Sequence, residues 1–323
     1  MTARTGAGKG VCDMPTAPPE IPPPRRGDRL YWLRRIHALD PETDHQEIYR
    51  ISAGHEFPWD YNRALELALF RTFCVPSISA LLDATGEFAW RPQKRYEDTG
   101  LLMAEIAKNG YDSPRGKESL RSINRMHGRY AIPNDDMLYV LSTFVYEPVD
   151  WIDTFGWRRL SHHERRAAYH YYREVGLRMG IREIPGDYTA FRRFKTDYEH
   201  AHFRYADTNA RVGRSTLNLV RSWFPRPARP LADAAVRSLL NARTREAFGF
   251  AAPPGWVVRA VETGLRARAA VETQMPPRRT SRLATEVRSQ LYPGWPHGYD
   301  ISDLGAEAPE GIGREWLRDT AER

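Results

Sequence analysis

Apolar residues recur every three or four positions through most of the chain after residue 28, which is the spacing of one face of an α-helix. No stretch alternates between apolar and polar residues for long enough to predict a useful β-strand, and the sequence has no internal repeat. The pattern therefore predicts an all-α fold, with several helices packed into a single domain around one core.

Capping residues and prolines predict where several of these helices begin and end. Ser113 is followed by a proline and is expected to cap the helix after it. Ser161 and Glu164 have the spacing of a capping box. Asn134 is expected to cap a further helix, which Pro148 would then stop. Other segments with helical spacing are residues 64–73, 99–108, 188–205, 231–248, 256–271 and 281–291.

The two ends of the chain differ in composition from its middle. Residues 1–28 are rich in proline, glycine and threonine and predict a disordered tail, since they offer little apolar surface to bury. Residues 29–305 hold the helical patterns and are assigned to one domain, and residues 306–323 are assigned to a C-terminal tail. At 323 residues the chain is long enough to bury a sizeable core.

The chain is basic, with 48 Lys and Arg against 41 Asp and Glu, which gives a formal net charge of +7. The basic residues are spread as Arg-Arg pairs, for example at 25–26, 158–159 and 278–279, and are not gathered in one block. A nucleic-acid surface needs them to converge on one face. We therefore expect a solvated basic surface and no nucleic-acid partner.

Cysteine usage and hydropathy bear on the location of the protein. Cys12 and Cys74 cannot build a disulfide framework or a cysteine zinc site, which fits a reducing cytoplasm. The most apolar run, residues 64–82, carries the charged residues Glu66 and Arg71, so it is expected to be a core helix and not a membrane span. No convincing signal peptide is found, and we predict a cytoplasmic protein.

His127 is the strongest single candidate for a functional residue. The helix predicted after the Ser-Pro cap places its imidazole on an apolar face that points to the core. The other members of that face are Leu120, Ile123 and Tyr130. Two interpretations remain open. His127 is either a core histidine with both ring nitrogens hydrogen-bonded by the protein, or a metal or haem ligand whose second nitrogen is held by an acceptor.

Several longer segments carry a resemblance to a known family. They are EFPWD at 56–60, FCVPSIS at 73–79, KRYEDT at 94–99, INRMHGRY at 123–130, residues 134–144 and FGWR at 155–158. Together they resemble the family of the mycophenolic-acid-pathway oxygenase (MpaB type), whose catalytic domain is shared by the latex clearing protein, a bacterial rubber oxygenase. Shorter segments at 179–185, 198–199, 276–278 and 298–301 agree. The resemblance covers about residues 30–305 and identifies residues 29–305 as a catalytic domain.

The resemblance implies a globin-related helical core that holds haem b through one proximal histidine. Carried over to this sequence, that ligand is His127, in agreement with the inward-pointing imidazole. The family uses O2 to cleave carbon–carbon double bonds of isoprenoid chains, which leaves carbonyl ends. The implied partners are O2 and a hydrophobic small molecule. We expect no transmembrane segment and at most a peripheral membrane contact, and the oligomeric state is left open.

Arg95 and Thr99 match an R-x-x-K-T arrangement that the resemblance places near the distal side of the haem. Asp98 replaces the lysine of that arrangement, so a lysine-capped resting state is not expected. Arg95 would stabilise negative charge developing on oxygen or anchor a haem propionate, and Thr99 would donate a hydrogen bond to oxygen. Alternatively, Arg95 forms an ion pair with Glu97 or Asp98 at the start of a helix. Thr99 could equally cap that helix.

Further residues are weaker candidates for the site of His127, Arg95 and Thr99. Asn124 and Thr143 are candidates for orienting the imidazole or contacting the haem, and are otherwise satisfied core polar groups. The catalytic carboxylate implied by the resemblance has no assigned position, and Glu66 and Glu87 are the candidates. The apolar wall for a long hydrocarbon is expected from Phe73, Ile78, Leu141, Phe144 and the aromatic stripe of residues 188–205.

The sequence thus predicts a haem-b-dependent oxygenase, specifically a dioxygenase, that cleaves a C=C bond in a lipophilic, isoprenoid-like or natural-product substrate. The first alternative is a haem enzyme of different outcome, such as hydroxylation, dehydrogenation or peroxidase chemistry, because family likeness fixes the cofactor better than the reaction. The second alternative is a non-catalytic helical haem-binding protein.

Overall fold

The computed structural model describes residues 23–286 and 292–305, and that part of the chain is helical with no β-strand. The prediction of an all-α single domain is confirmed there. Most of the two predicted tails, residues 1–22 and 306–323, lies outside the described residues, as do residues 287–291 of the last predicted helix. The helices are α1 Tyr31–His37, α2 His45–Ile51, α3 Pro58–Thr72, α4 Pro76–Thr85, α5 Glu87–Trp90, α6 Pro92–Asn109, α7 Pro114–His127, α8 Asn134–Phe155, α9 His162–Arg178, α10 Tyr188–His202, α11 Asp207–Ser222, α12 Arg229–Leu239, α13 Ala242–Phe248 and α14 Gly255–Thr273.

The core lies where the long helices pack on one another. Helix α3 runs against α8, α6 against α7, and α2 against α9. Their inward faces carry large side chains with no exposed surface, among them Leu101, Tyr146 and Ile152. Because burial of such side chains is the main favourable term in folding, this contact surface fixes the relative positions of α6, α7, α8 and α9.

Two of the predicted helix starts have the predicted caps. Ser113 Oγ accepts a hydrogen bond from the backbone N–H of Gly116 at 3.0 Å, at the start of α7. Ser161 Oγ accepts from the Glu164 backbone N–H at 3.3 Å, and the Glu164 carboxylate accepts from the Ser161 N–H at 2.8 Å. These bonds satisfy donors that a helix start leaves unpaired, so the beginnings of α7 and α9 follow from local sequence.

Helix α8 begins at Asn134, as predicted, but its predicted end and its predicted cap are wrong. Pro148 lies inside the helix, which continues to Phe155. Loss of one backbone hydrogen bond is outweighed by the packing of α8 along α3. Asn134 forms no cap; its side chain instead accepts from the Arg182 N–H at 2.8 Å and donates to the Arg182 C=O at 3.1 Å. A tertiary contact therefore uses a side chain that local rules assign to capping.

Two other boundaries differ from prediction. Helix α6 begins at Pro92, seven residues before Thr99, so Thr99 lies within the helix and does not cap it. The segment predicted as one helix over 231–248 is divided into α12 and α13. Asn241 caps α13 through a bond from the Thr244 N–H at 2.9 Å. In both places the helix begins at a residue type that favours helix starts and that the sequence prediction did not use. Pro92 begins α6, and Asn241 caps α13.

A sharp bend separates α3 from α4. Val75, which precedes Pro76, is extended with φ −92° and ψ 117°, as expected for a residue before proline. Within the described residues no single helix is long and apolar enough to cross a membrane, and α3 and α4 meet the length and composition criteria only as a pair bent by 97°. The bend places residues of both helices on the wall of the cavity described next.

Candidate functional site

A cavity of about 760 Å³ lies between the bend of α3 and α4, helices α6 to α9, and the loops beside them. Its volume is in the range of sites that bind small molecules and cofactors. Most of its wall is apolar. The four individually predicted wall residues, Phe73, Ile78, Leu141 and Phe144, all line it.

The aromatic stripe of α10 packs elsewhere. Phe191 is fully buried in the main core, and Tyr198 stacks on Tyr139 with 4.7 Å between ring centroids. None of the stripe residues is on the cavity wall. The stripe therefore stabilises the packing of α10 on α8, which is the commoner role of such a pattern.

His127 is the last residue of α7, and its side chain lines the cavity. Its Nδ1 atom is buried and has no hydrogen-bond partner among the described residues. Burial lowers the pKa of His127 to about 4, and the charge of Arg95 acts in the same direction. The imidazole is thus neutral near pH 7, and the pair of protein hydrogen bonds expected of a purely structural histidine is not formed.

Arg95 and Thr99 meet on the same cavity wall. They lie one turn apart on α6, and the Arg95 guanidinium donates a hydrogen bond to Thr99 Oγ1. The guanidinium also lies near the ring of Phe88, with Cζ 5.6 Å from the ring centroid. Burial lowers the pKa of Arg95 although the charge of Asp98 opposes this. A largely desolvated cation therefore faces the cavity.

The ion pair considered for Arg95 does not form. The Asp98 carboxylate accepts from Lys94 Nζ at 2.8 Å and from Trp295 Nε1 at 2.9 Å. Glu97 accepts from the Gln93 side chain at 2.6 Å. Both carboxylates are thus bound by other groups. In the family arrangement the position of Asp98 carries a lysine, and here it carries a carboxylate already paired with a cation.

Residues 292–305, which we call the C-terminal strap, cross the outside of α6 and α7. Besides the bond of Trp295 to Asp98, the Tyr299 hydroxyl donates to Glu105 at 2.8 Å and Lys94 Nζ donates to the Gly305 C=O at 3.0 Å. Gly305 itself lines the cavity. The strap therefore closes one side of the cavity.

Asn124 and Thr143 are not brought to the cavity wall. The Asn124 amide donates to the Arg178 C=O at 2.9 Å and so connects α7 to the end of α9. Thr143 is fully buried and donates to the Val140 C=O at 2.7 Å within α8. The structure places both in the packing between helices, and the Asn124 Oδ1 atom is buried without a partner among the described residues.

Neither predicted carboxylate lines the cavity. Glu66 accepts from Tyr96 and, at 2.5 Å, from Arg63, and Glu87 accepts from Arg91 at 2.6 Å. The carboxylates on the wall are Asp98 and Asp136, and Asp136 accepts from Ser77 Oγ at 2.7 Å and from the Tyr198 hydroxyl. Asp136 was overlooked because an acidic residue in a first helical turn already has an explanation in the helix dipole.

Tyr130 is a second residue that sequence reasoning left in the core. It follows α7 by three residues, lines the cavity, and has a buried hydroxyl with no partner among the described residues. Its place on the same apolar face as His127 was the sequence signal for a position at the site. That face continues past the end of the helix, because the turn after α7 keeps Tyr130 on the side of His127.

Comparison with known proteins fits this geometry. Residues 63–273, which include Arg95, Thr99 and His127, match the family described as "ER-bound oxygenase mpaB/B'/Rubber oxygenase, catalytic domain". The chain belongs to this family. The resemblance predicted from the sequence segments is confirmed.

Two proteins of Penicillium species are similar to this chain. The chain is 37% identical over 175 residues to "ER-bound oxygenase mpaB" of Penicillium roqueforti, a match that covers 51% of this chain and 58% of the relative. It is 32% identical over 251 residues to "ER-bound oxygenase mpaB'" of Penicillium brevicompactum, which covers 71% of this chain and 59% of the relative. The chain thus spans less than two thirds of the length of these relatives.

Proposed function

We propose that the protein is a haem-b-dependent oxygenase that uses O2 to cleave a C=C bond in a lipophilic substrate of isoprenoid or other natural-product type. The observation that carries the proposal is the neutral His127 imidazole, whose Nδ1 has no partner in the part of the chain described, at the edge of an apolar cavity. The names of the family and of its members support an oxygenase. A globin-related arrangement of the helices belongs to the same proposal.

The residues present fit haem b. An imidazole is a suitable iron ligand only when it is neutral, which the lowered pKa of His127 provides. The apolar wall suits a flat macrocycle, and the volume of about 760 Å³ suits a ligand of cofactor size. Arg95 offers a buried cation for a carboxylate or for negative charge on oxygen.

His127 would hold the haem, which when bound supplies an iron centre for O2 chemistry. The chain's own residues do the rest. The Arg95 guanidinium presents positive charge in a site of low dielectric, where it acts more strongly than in water. Thr99 accepts one of its hydrogen bonds and thereby fixes its direction. The wall formed by residues such as Phe73 and Phe144 holds a hydrocarbon chain and excludes water.

The cellular location and the small-molecule partners of the protein belong to the same proposal. "ER-bound" is part of the relatives' names, whereas for this chain a cytoplasmic location with at most peripheral membrane contact stays a prediction. A hydrophobic substrate and O2 are the proposed partners.

The haem ligand is tested by the absorption spectrum of the purified protein, before and after reconstitution with haemin. We expect a Soret band in the wild type and its loss in His127→Ala. His202→Ala is the matched control, because His202 is also part-buried but hydrogen-bonds to a backbone carbonyl away from the cavity. Normal haem binding by His127→Ala, or a wild type without a Soret band after reconstitution, would contradict the proposal.

The reaction is tested by mass spectrometry of products formed from an isoprenoid olefin such as squalene under 18O2. Cleavage of the chain with one labelled oxygen on each carbonyl end is the expected result. A product of unchanged carbon number that carries one hydroxyl would instead show the hydroxylation alternative. The His127→Ala variant serves as the blank in the same assay.

A further inference from the structure

The Tyr130 hydroxyl is a buried hydrogen-bonding group with no partner among the described residues. The side chain lies three residues beyond His127 and forms part of the cavity wall. A buried phenol normally finds a partner, because leaving its O–H unpaired costs stability. The unpaired hydroxyl therefore points to an acceptor that a molecule in the cavity supplies.

The Arg95 guanidinium, which lines the same cavity, is a partly buried cation without a carboxylate partner in the part of the chain described. It hydrogen-bonds to the neutral hydroxyl of Thr99. Asp98 and Glu87, the carboxylates whose charge acts on it, each form a salt bridge with a different cation. An arginine has five N–H donors and no acceptor, so most of its donors remain for a ligand.

Arg95 and Tyr130 line the same cavity. Burial raises the pKa of the Tyr130 hydroxyl, and the Arg95 charge opposes part of that rise. The wall of this cavity, which His127 also lines, thus carries two kinds of donor without an anionic acceptor among the described residues.

We propose that Tyr130 and Arg95 form a two-donor site for a carboxylate on the molecule that occupies the cavity. A carboxylate accepts several hydrogen bonds at once, so it satisfies a phenol and a guanidinium together. Because the rest of the wall is largely apolar, the ligand that fits has an apolar body and one anionic end. This inference deepens the proposed function, and rests on it where that ligand is the haem.

Two ligands carry this chemistry. The propionates of haem b are carboxylates on an apolar macrocycle, and a lipophilic acid carries a carboxylate on a hydrocarbon chain. Esterification separates the contribution of the carboxylate from that of the apolar body, because it removes the charge and changes little else.

The test measures the affinity of the full chain for four probes by isothermal titration calorimetry. The probes are protoporphyrin IX, its dimethyl ester, palmitate and methyl palmitate. Tyr130→Phe is expected to weaken binding of an acid by about tenfold, the loss typical of one hydrogen bond to a charged group, and to leave its ester unchanged. A loss confined to protoporphyrin IX assigns the site to the haem propionate, and a loss confined to palmitate assigns it to a lipophilic acid.

Tyr171→Phe is the matched control. The Tyr171 hydroxyl is also buried without a partner among the described residues, but it is not on the cavity wall. Its removal is expected to leave all four affinities unchanged. Arg95→Met is expected to give the same acid-selective loss as Tyr130→Phe.

Absence of an acid-selective loss in Tyr130→Phe, including equal losses for acid and ester, overturns the inference. The result is distinguishable from failure of the proposed function. If the wild type shows no Soret band after reconstitution with haemin, the haem proposal fails, and the palmitate pair still decides whether Tyr130 binds a carboxylate.

Discussion

Two partly buried arginines, Arg71 and Arg95, differ in the groups that surround their charge. Arg71 donates to Glu199 at 2.6 and 2.7 Å and lies 3.4 Å from Glu147. Arg95 has the Thr99 hydroxyl and no carboxylate in the described part of the chain. A buried charge that is paired stabilises the fold around it, whereas a buried charge that is not paired costs stability and is retained where a ligand uses it.

Replacement of each arginine by methionine tests this difference in the ligand-free chain. Arg95→Met removes a desolvated cation and is expected to raise the free energy of unfolding by about 1 kcal/mol. Arg71→Met leaves Glu147 and Glu199 with Lys195 as their one remaining cation among the described residues and is expected to lower it by about 3 kcal/mol. Urea denaturation followed by circular dichroism measures both. An equal decrease in the free energy of unfolding in the two variants would show that Arg95 has a structural counter-ion.

Helices and connecting segments decide what reaches the cavity. The extended residue before Pro76 turns α4 away from α3. The cap at Ser113 fixes where α7 begins, and His127 is the last residue of that helix. The C-terminal strap depends on backbone freedom at its last described residue. Gly305 has φ +122°, and an added Cβ would lie 1.9 Å from Met126 Sδ on the cavity wall.

Gly305→Ala is therefore expected to displace the end of the strap. It should lower the free energy of unfolding by about 2 kcal/mol through backbone strain and overpacking, and increase cleavage of the strap in limited proteolysis. Gly298→Ala is the control, because Gly298 has φ +90° but no atom within 4 Å of an added Cβ. It should cost about 1 kcal/mol, from backbone strain alone. A smaller effect at Gly305 than at Gly298 would show that the strap does not press on Met126.

At the scale of the whole molecule, a buried network of charges joins α3, α8 and α10. Lys195 lies 2.7 Å from both Glu147 and Glu199, and Glu199 also accepts from Arg71. Burial alone would raise the pKa of Glu199, but the bonds from Arg71 and the charge of Lys195 outweigh it and lower the pKa to about 2. The network therefore makes the free energy of unfolding depend on pH in the acid range.

A carboxyl group whose pKa is lower in the folded chain contributes stability that is present above its unfolded value and is lost as pH falls through the folded value. For Glu199 that window runs from about 4.5 down to about 2. We expect Glu199→Gln to be about 3 kcal/mol less stable than the wild type at pH 7, and the difference to shrink towards pH 2.

Denaturation in urea at pH 7, 5, 4 and 3 measures this dependence. Glu262→Gln is the control, since Glu262 is exposed and its contact with Arg266 is 3.7 Å. Such a pair contributes little, so the variant should follow the wild type. A constant difference between Glu199→Gln and the wild type across this range would exclude the lowered pKa.

How much the sequence could predict depends on whether its signals are local. Helical spacing, the Ser113 cap and the Ser161 capping box act within a few residues, so the all-α class and the starts of α7 and α9 follow from sequence. The same holds for His127, whose inward side of α7 is set by helical period. Family segments added Arg95 and Thr99, which the structure places on the same cavity wall.

The tertiary structure alone decided which polar groups are left without partners. Asn124 and Thr143 have the right chain spacing, but the Asn124 amide N–H and the Thr143 hydroxyl donate to backbone carbonyls instead of facing the cavity. Tyr130 was read as core, and it is on the cavity wall with its hydroxyl unpaired among the described residues. Whether a buried group is satisfied depends on atoms far away in the chain, and periodicity does not encode these. The sequence by itself thus determined the all-α class, the starts of α7 and α9 and the inward side of His127, because these depend on neighbours in the chain. Only packing between helices determined the cavity and the donors on its wall.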